Sequence, residues 1–429
     1  MESTRDYNAI SSDVAASLQR LPAGNEFAVR VIHTADYPVE SLTPQRRHSH
    51  FYAENTLSRR VLILVSQGDC LVAGLEAHEF TSLDLEVDSS RLPHQAIAVN
   101  ACIEKVDTTG ELRSRMPLAR MLVAGYVCSL QRYSKALDVA SVGLHLFARA
   151  QPEYLFAKSQ NNPAKNTLSD SALVKWWQRT MQFALHYALT NVSCSISSVA
   201  KSASDASNCT ELVSDTAIAY CVVPGADIRD APVVLGTQSG SKLGTTADAD
   251  GSASPAVEWK WGLPHPAEAV AHNCVLQFPD DPITRLLAEP HTKSWTVNML
   301  LEMLAVGEEC GSGHRTAYFS AALPIAAANP RDSPCFEEAA DQGTLTFEDY
   351  DKMLIALFDR EMDFSTTDAA AVSSKRVVEF IDTNFSTPVV LVSTDGPEIA
   401  QEAPAAIPAA APVVNDLSSI IRKKRKVAK

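Results

Sequence analysis

The chain has no C-x-x-C pair. Its nine cysteines (Cys70, Cys102, Cys128, Cys194, Cys209, Cys221, Cys274, Cys310 and Cys335) are scattered and odd in number. That argues against a zinc ribbon and against a closed disulfide framework, and it fits a reducing compartment. No apolar run approaches the roughly 20 residues that cross a bilayer. The opening Met1-Glu2-Ser3-Thr4-Arg5 has no apolar signal core. A soluble, intracellular protein without a membrane partner is expected. An excess of basic charge is also missing: the formal net charge is -14 and the isoelectric point is near 5.3. Such a body repels phosphates, so direct binding of nucleic acid is not expected, whereas a basic protein partner is compatible. There is no internal repeat. What remains is 429 residues, 46% hydrophobic and 21% charged, an ordinary globular composition with ample chain for a core.

Hydrophobic patterning predicts an α/β chain. Phe27–His33, Val61–Val65, Leu71–Glu76, His94–Val106, Leu144–Ala148, Ala217–Pro224 and Arg315–Leu323 read as strands or short apolar runs. Arg115–Leu130, Ser171–Leu189, Val297–Leu304 and Phe347–Phe364 carry apolar residues at helical spacing. Residues 1–20 read as a loose, polar lead into a domain spanning 21–385. Ser/Ala-rich and Gly/Ser/Thr-rich stretches, about 193–216 and 236–256, read as surface insertions. A Pro/Ala-rich linker, 386–421, precedes a basic tail, 422–429, that contains Lys423-Lys424-Arg425-Lys426.

Six short blocks stand out. Lys105-Val106-Asp107-Thr108-Thr109-Gly110 is followed by Leu146-Phe147-Ala148-Arg149-Ala150-Gln151 with Tyr154-Leu155-Phe156. Lys175-Trp176-Trp177 comes next, then Pro224-Gly225-Ala226-Asp227 with Trp259-Lys260-Trp261-Gly262. Phe278-Pro279-Asp280-Asp281-Pro282 with Arg285, and a weaker Glu308–Gly313, complete the series. Each alone is ordinary: an Asp before Thr-Thr-Gly is a common Asx turn, and Asp-Asp-Pro a common surface turn. In this order they resemble the fungal histone acetyltransferase family called regulator of Ty transposition. Its fold is similar to that of the CREB-binding-protein acetyltransferases: a mixed central sheet ringed by helices.

The resemblance implies a lysine acetyltransferase that uses acetyl-CoA and needs no metal. It assigns Val106, Asp107 and Thr108 to the cofactor, with Arg115, Met116, Pro117, Leu118, Ala119 and possibly Arg120 as a second cofactor segment. A helix N-terminus with an arginine suits a phosphate. Phe147, Arg149, Gln151 and Tyr154, then Asn166, Thr167 and Leu168, match further cofactor segments, with Tyr154 near the acetyl group. Trp176 is expected against the cofactor and Trp177 along the lysine tunnel. Their alternative is that both are core, the assignment made for Trp259 and Trp261. Arg285 joins the cofactor set. Asp281 is the expected proton acceptor, with Asp280 orienting it or attracting the histone, and Asp107 completes the catalytic set. Direct attack by lysine is expected, because Cys102 has no evident activating base.

By the same resemblance the partners are core histones, H-three foremost. Chaperones of the anti-silencing-function and nucleosome-assembly-protein types would present them in the nucleus, during nucleosome assembly and the DNA-damage response. The basic tail resembles a nuclear import signal. The sequence departs from the family in three places. Ile283 stands where the family has an autoacetylated lysine, Asn166 stands where it often has histidine, and almost no loop lies between Cys128 and Leu144. Ile283 and Asn166 support a competing expectation, a catalytically degenerate scaffold that binds histone–chaperone complexes, whereas the retained Asp107, Trp177 and Asp281 favour an enzyme. A small-amine acetyltransferase is the third.

Overall fold

A computed structural model of the chain describes residues 7–43, 55–83, 96–112, 116–200, 216–235, 256–307, 315–325, 344–357, 361–385 and 387–397. Arg115, the block 308–313, the Gly/Ser/Thr-rich stretch, most of the linker and the basic tail lie outside these residues. Among the described residues eleven strands form one mixed sheet: β1 (Glu26–Thr34), β2 (Tyr37–Val39), β3 (Asn55–Gln67), β4 (Cys70–Leu83), β5 (Ala96–Thr108), β6 (Ser141–Ala148), β7 (Thr216–Val222), β8 (Ala256–Trp261), β9 (Ala317–Pro324), β10 (Thr344–Leu345) and β11 (Val389–Ser393). The spatial order is β10-β1-β3-β4-β5-β6-β9-β7-β8, with β11 on β1 and β2 on β3. Most neighbours are antiparallel; β5 with β6, β7 with β8 and β1 with β10 are parallel.

Alternation along the strands separates two faces. Val61, Ile63 and Val65 of β3, Ala101 and Ile103 of β5, and Phe319 and Ala321 of β9 face one apolar core. It is covered by α1 (Tyr7–Gln19), α2 (Leu118–Ala136) and α3 (Asp170–Ala200). The opposite face carries Leu62 and Leu64, Phe80 and Cys102, and Tyr318, which belong to three smaller clusters. α4 (Ala231–Leu235) joins the main core, and the smaller clusters are built with α5 to α9: Ala271–Cys274, Pro282–Leu287, Val297–Val306, Phe347–Leu357 and Thr367–Asn384.

Both ends of the domain differ from expectation. Residues 7–19 form a packed helix, not a loose lead. Its three large aliphatic residues, Ile10, Val14 and Leu18, recur every fourth position and are fully buried. The Ser and Ala between them hid this stripe in a polar-looking segment. The crossing with α2 is close: a Cβ on Gly125 would lie 2.6 Å from Val14 Cα, and Ser17 Oγ donates to Met121 O at 2.8 Å. At the other end the folded region continues past Phe385. β11 pairs antiparallel with β1 from Glu26 to Arg30, and Gly396 bridges Pro22, so the first part of the expected linker is sheet. Part of the expected first insertion is likewise helical, since α3 runs on to Ala200.

Candidate active site

The parallel β5–β6 ladder is short. It joins Val99 to Val142 and ends where Cys102 meets His145. Both strands continue: β5 stays on β4 as far as Thr108, and β6 stays on β9 as far as Ala148. The two central strands therefore part, leaving facing main-chain edges above Cys102 and His145. Edge N–H and C=O groups of this kind can pair with an extended ligand. One rim of the opening is Val106, Asp107 and Thr108, and the other leads through Phe147 into Arg149, Gln151 and Tyr154. Two expected cofactor segments that are distant in sequence are thus brought to opposite rims of one slot.

Asp107 holds the second rim in place. It is buried, and its Oδ2 accepts the N–H groups of Tyr154 at 2.9 Å, Leu155 at 3.0 Å and Phe156 at 3.4 Å. Its Oδ1 accepts from Thr108 N at 2.8 Å and from Lys165 Nζ at 2.7 Å. With five hydrogen bonds the carboxylate is saturated. It acts as an anchor for the 151–165 loop, which corrects its expected place among the catalytic groups. Lys165 also donates to Ser159 Oγ at 2.7 Å. Gly110, at φ +92, lets this loop close, since a Cβ there would lie 2.8 Å from Lys165 N. Sequence reading missed Lys165 because a lone lysine in a polar loop ordinarily signals solvent exposure.

Tyr154 is likewise engaged with the loop. Its hydroxyl donates to Arg149 O at 2.6 Å and accepts from Gln151 N at 3.0 Å. Burial raises its pKa, the Gln151 N–H opposes this, and the Asp107 charge adds to it. The hydroxyl is thus a neutral clasp of the Arg149–Tyr154 turn. Asn166 and Thr167 are exposed, and Leu168 is half-buried at the margin of the main core.

Trp176 and Trp177 contact each other edge-on, with centroids 4.8 Å apart. Trp176 is half-buried, whereas Trp177 is 7% exposed and belongs to the main core under α2 and α3. Trp177 therefore packs as core, the alternative expected for the pair, while Trp176 stays partly accessible. Trp259 and Trp261 are half-buried against the same core. At the start of α2 the N-cap residue Pro117 supplies no side-chain acceptor, and Met116, Ala119 and Arg120 are half-buried while Leu118 is core.

The base of the slot lies under Phe278-Pro279-Asp280-Asp281-Pro282. The Phe278 ring packs 5.0 Å from His145 and 5.5 Å from Phe80, over Cys102. Asp281 is the N-cap of α6, and its Oδ1 accepts Ile283 N–H at 2.7 Å, so the carboxylate is held in one orientation. Asp280 is exposed in the left-handed region at φ +57, which turns the chain into that cap. Arg285 is exposed one turn later. Ile283 is 4% exposed in the apolar cluster with Leu287, Val297 and Leu300. A lysine there would have to bury its charge in that packing.

Asp281 lies close enough to Cys102 to act on it. Burial and the charges of Glu104 and Asp281 push the Cys102 thiol well above its ordinary range. Such a thiol is a poor nucleophile. His145 is the register partner of Cys102. Its Nε2 meets Asn100 Oδ1 and its Nδ1 meets Ser320 Oγ, each at 3.2 Å. Burial, with a smaller effect from His265, lowers its pKa to about 4. Farther along the floor is Glu104. Burial works against its charge, but the bond to His78 and the charges of Arg60, His78 and Lys105 outweigh this and lower its pKa. Asp107 and Cys102 are five residues apart on β5, about 16 Å at the usual strand rise. Asp107 and Asp281 therefore serve opposite ends of the slot. Among the described residues no group of three or more His, Cys, Asp or Glu side chains is arranged to hold a metal, and no helix is long and apolar enough to cross a membrane.

A mixed sheet parted between two central parallel strands, with helices on both faces, is an acetyltransferase architecture. It matches the crystal structure of Rtt109 from Aspergillus fumigatus with a TM-score of 0.61 and 21% identity, over 90% of this chain and 100% of that one. The family model of the histone acetyltransferase KAT11-type domain matches residues 136–380, more than half of the chain. The chain belongs to this histone acetyltransferase family. It is 25% identical over 375 residues to the histone acetyltransferase rtt109 of Aspergillus flavus, covering 78% of this chain. It is 28% identical over 188 residues to that of Schizosaccharomyces pombe, covering 43% of this chain. The matches span 61% and 42% of the lengths of these relatives.

Proposed function

We propose that this chain transfers an acetyl group from acetyl-CoA to a lysine of a core histone. The observation that carries the reading is the slot between β5 and β6. Its rims are two segments matching cofactor segments of the family, and its base is overhung by a carboxylate fixed at a helix N-terminus. Acetyl-CoA would bring the acetyl group already activated as a thioester. The main-chain edges of Val106–Thr108 and Phe147–Gln151 would hold the extended arm, and Trp176 and Leu168 would pack beside it. The open start of α2, Met116–Arg120, suits the phosphates.

The substrate amine must lose a proton, because free lysine titrates near 10.4. Asp281 takes that proton, directly or through one water. The bond from Ile283 N–H to Oδ1 keeps the carboxylate pointed while it does so. Asp280, exposed beside it, contributes negative charge toward a basic histone. The raised thiol of Cys102 favours direct attack of the amine on the thioester over an acetyl-cysteine step.

The finer assignment rests on family resemblance: histone H-three as substrate, delivery by a chaperone of the anti-silencing-function or nucleosome-assembly type, and a role in nuclear replication-coupled assembly and the DNA-damage response. The connection between α2 and β6 is only residues 137–140, so a chaperone cannot dock there through a long loop. With Ile283 packed in an apolar cluster, activation does not run through a modified side chain at that position.

The test is acetyl transfer onto a histone–chaperone complex, read by mass spectrometry for the wild type and Asp281→Asn. Activity in the wild type with a loss of about a hundredfold in the variant supports an enzyme with Asp281 in the chemistry. Equal activity removes Asp281 from that role. No transfer by a folded wild type favours the histone–chaperone scaffold.

A further inference from the structure

Glu104 stands immediately before the first motif block, on the length of β5 that β6 has left. The pairing of β4 with β5 shifts here, from Ala77 opposite Ile103 to Glu76 opposite Lys105, so Glu104 is the extra residue of a β-bulge. Bulges re-aim side chains. This one brings two successive side chains to one face: Glu104 reaches His78, and Lys105 reaches Glu76. His78 is the register partner of Cys102, and its ring packs 4.4 Å from Phe80. Glu104 therefore lies on the face where Phe278 covers Cys102 and Asp281 caps α6.

The two glutamates of this network are unequally engaged. Glu76 is fully buried and takes one 2.6 Å bond on each oxygen, from Arg60 and from Lys105. Glu104 is 26% exposed, and its contacts with Arg60 and with His78 Nδ1 are each 3.5 Å. His78 is itself fixed, since Ser58 Oγ and Tyr37 OH meet its Nε2 at 2.6 and 2.8 Å. With Nε2 engaged by hydroxyls, Nδ1 is the nitrogen turned to Glu104. Arg60 is held in turn by Asp351 of α8 at 3.1 Å. Glu104 is thus an oriented carboxylate with room for a closer cation. Burial opposes its charge, but the bond to His78 and the charges of Arg60, His78 and Lys105 keep it ionised. Such a carboxylate is a weak base at neutral pH but a strong partner for an ammonium group.

We propose that Glu104 receives the ammonium group of the substrate lysine as it enters the slot, with His78 as its positioning residue. This rests on the acetyltransferase reading and deepens it. The two acids divide the work: Glu104 selects a cationic side chain, and Asp281 takes the proton. Neither Glu104 nor His78 belongs to any motif block.

The experiment is steady-state acetyl transfer by the full chain onto a core histone–chaperone complex whose acetylated lysine is located by mass spectrometry. The same complex with that lysine replaced by methionine serves as a competitive inhibitor. Wild type and Glu104→Gln are compared, with unliganded melting temperatures and calorimetric acetyl-CoA affinities as checks on folding. Glu104→Gln should raise KM for the lysine complex about tenfold or more, the range of a charge-assisted hydrogen bond, and leave kcat within a few-fold. The Ki of the methionine complex and the acetyl-CoA affinity should not change. A structural role would weaken the methionine complex or acetyl-CoA binding to the same degree, and that result overturns the proposal, as does an unchanged KM. The wild type alone gives a second test that needs no variant. Its Ki for the methionine complex should exceed its KM for the lysine complex about tenfold; equal values overturn recognition of the cation. A folded wild type that transfers no acetyl group removes the acetyltransferase reading, and the role of Glu104 with it.

Discussion

Asp107 and Lys165 form a buried ion pair of 2.7 Å between the end of β5 and a loop 58 residues later. Both side chains are nearly sealed from solvent, at 6% exposure for the lysine and 4% for the aspartate. The pair, with the three N–H groups on Asp107, fixes the far rim of the slot to the near one. Removing one partner leaves the other charged and buried. Asp107→Ala should therefore lower stability by about 3–5 kcal/mol, measured by urea denaturation. Adding Lys165→Met should restore part of the loss. A double variant no more stable than the single one would show that Lys165 does not depend on this carboxylate.

Asp281 combines a cap with a proposed base, and two substitutions separate them. Asp281→Asn retains an oxygen for Ile283 N–H, so folding stability should change little while acetyl transfer drops about a hundredfold. Asp281→Ala should lose activity to the same degree and about 1 kcal/mol of stability besides. If both variants lose stability and activity in step, the residue acts through folding alone.

His145 links stability to pH. Its folded pKa, about 4, is below the ordinary value of 6.5. Between these values the unfolded chain binds a proton that the folded chain does not, so stability falls as pH falls. The loss begins near pH 6.5 and approaches about 1.4 kcal/mol per pH unit through pH 5, levelling off below pH 4. Denaturation of His145→Gln at pH 7 and pH 5 should show a smaller difference than the wild type. An unchanged difference would place the acid sensitivity elsewhere.

Cys102 should be chemically quiet. Its raised thiol predicts slow alkylation by iodoacetamide at pH 7.5 in the native protein, and rapid alkylation after unfolding. Cys102→Ala should retain acetyl transfer to within a few-fold. Loss of transfer in a stable Cys102→Ala protein, with an acetylated Cys102 trapped in the wild type, would establish the thioester route instead.

Much of the local structure was legible. Val61–Val65 and Ser171–Leu189 became β3 and α3, because runs of β-branched residues and helical apolar stripes report local geometry directly. The loop groups were legible as a set: Asp107 and Tyr154 were singled out from motifs, and they do meet, N–H to carboxylate, at 2.9 Å. Their tasks were not legible. Nothing in the motif shows that Asp107 already has five donors, or that the Tyr154 hydroxyl is spent on the Arg149 carbonyl. Trp177 beside Trp176 offered two directions, and only packing decided that Trp177 is core. α1 was missed because only Ile10, Val14 and Leu18 mark it among Ser and Ala, and β11 because its apolar run Val389–Val392 is short and leads straight into the Pro/Ala-rich stretch. Their order comes from the neighbours they pack on.

By itself, the sequence determined most of the central strands and helices, the order of the motif blocks, and the acidic, metal-motif-free character of the chain. These depend on residue type and on spacing of a few positions. Tertiary structure alone decided where β5 and β6 part, that Lys165 is buried against Asp107, that Ile283 is packed inside a cluster, and that Arg120 lies over Phe183. Each joins residues tens of positions apart, and at that range the closing of the sheet and the packing of helices on it, not local periodicity, set which groups meet.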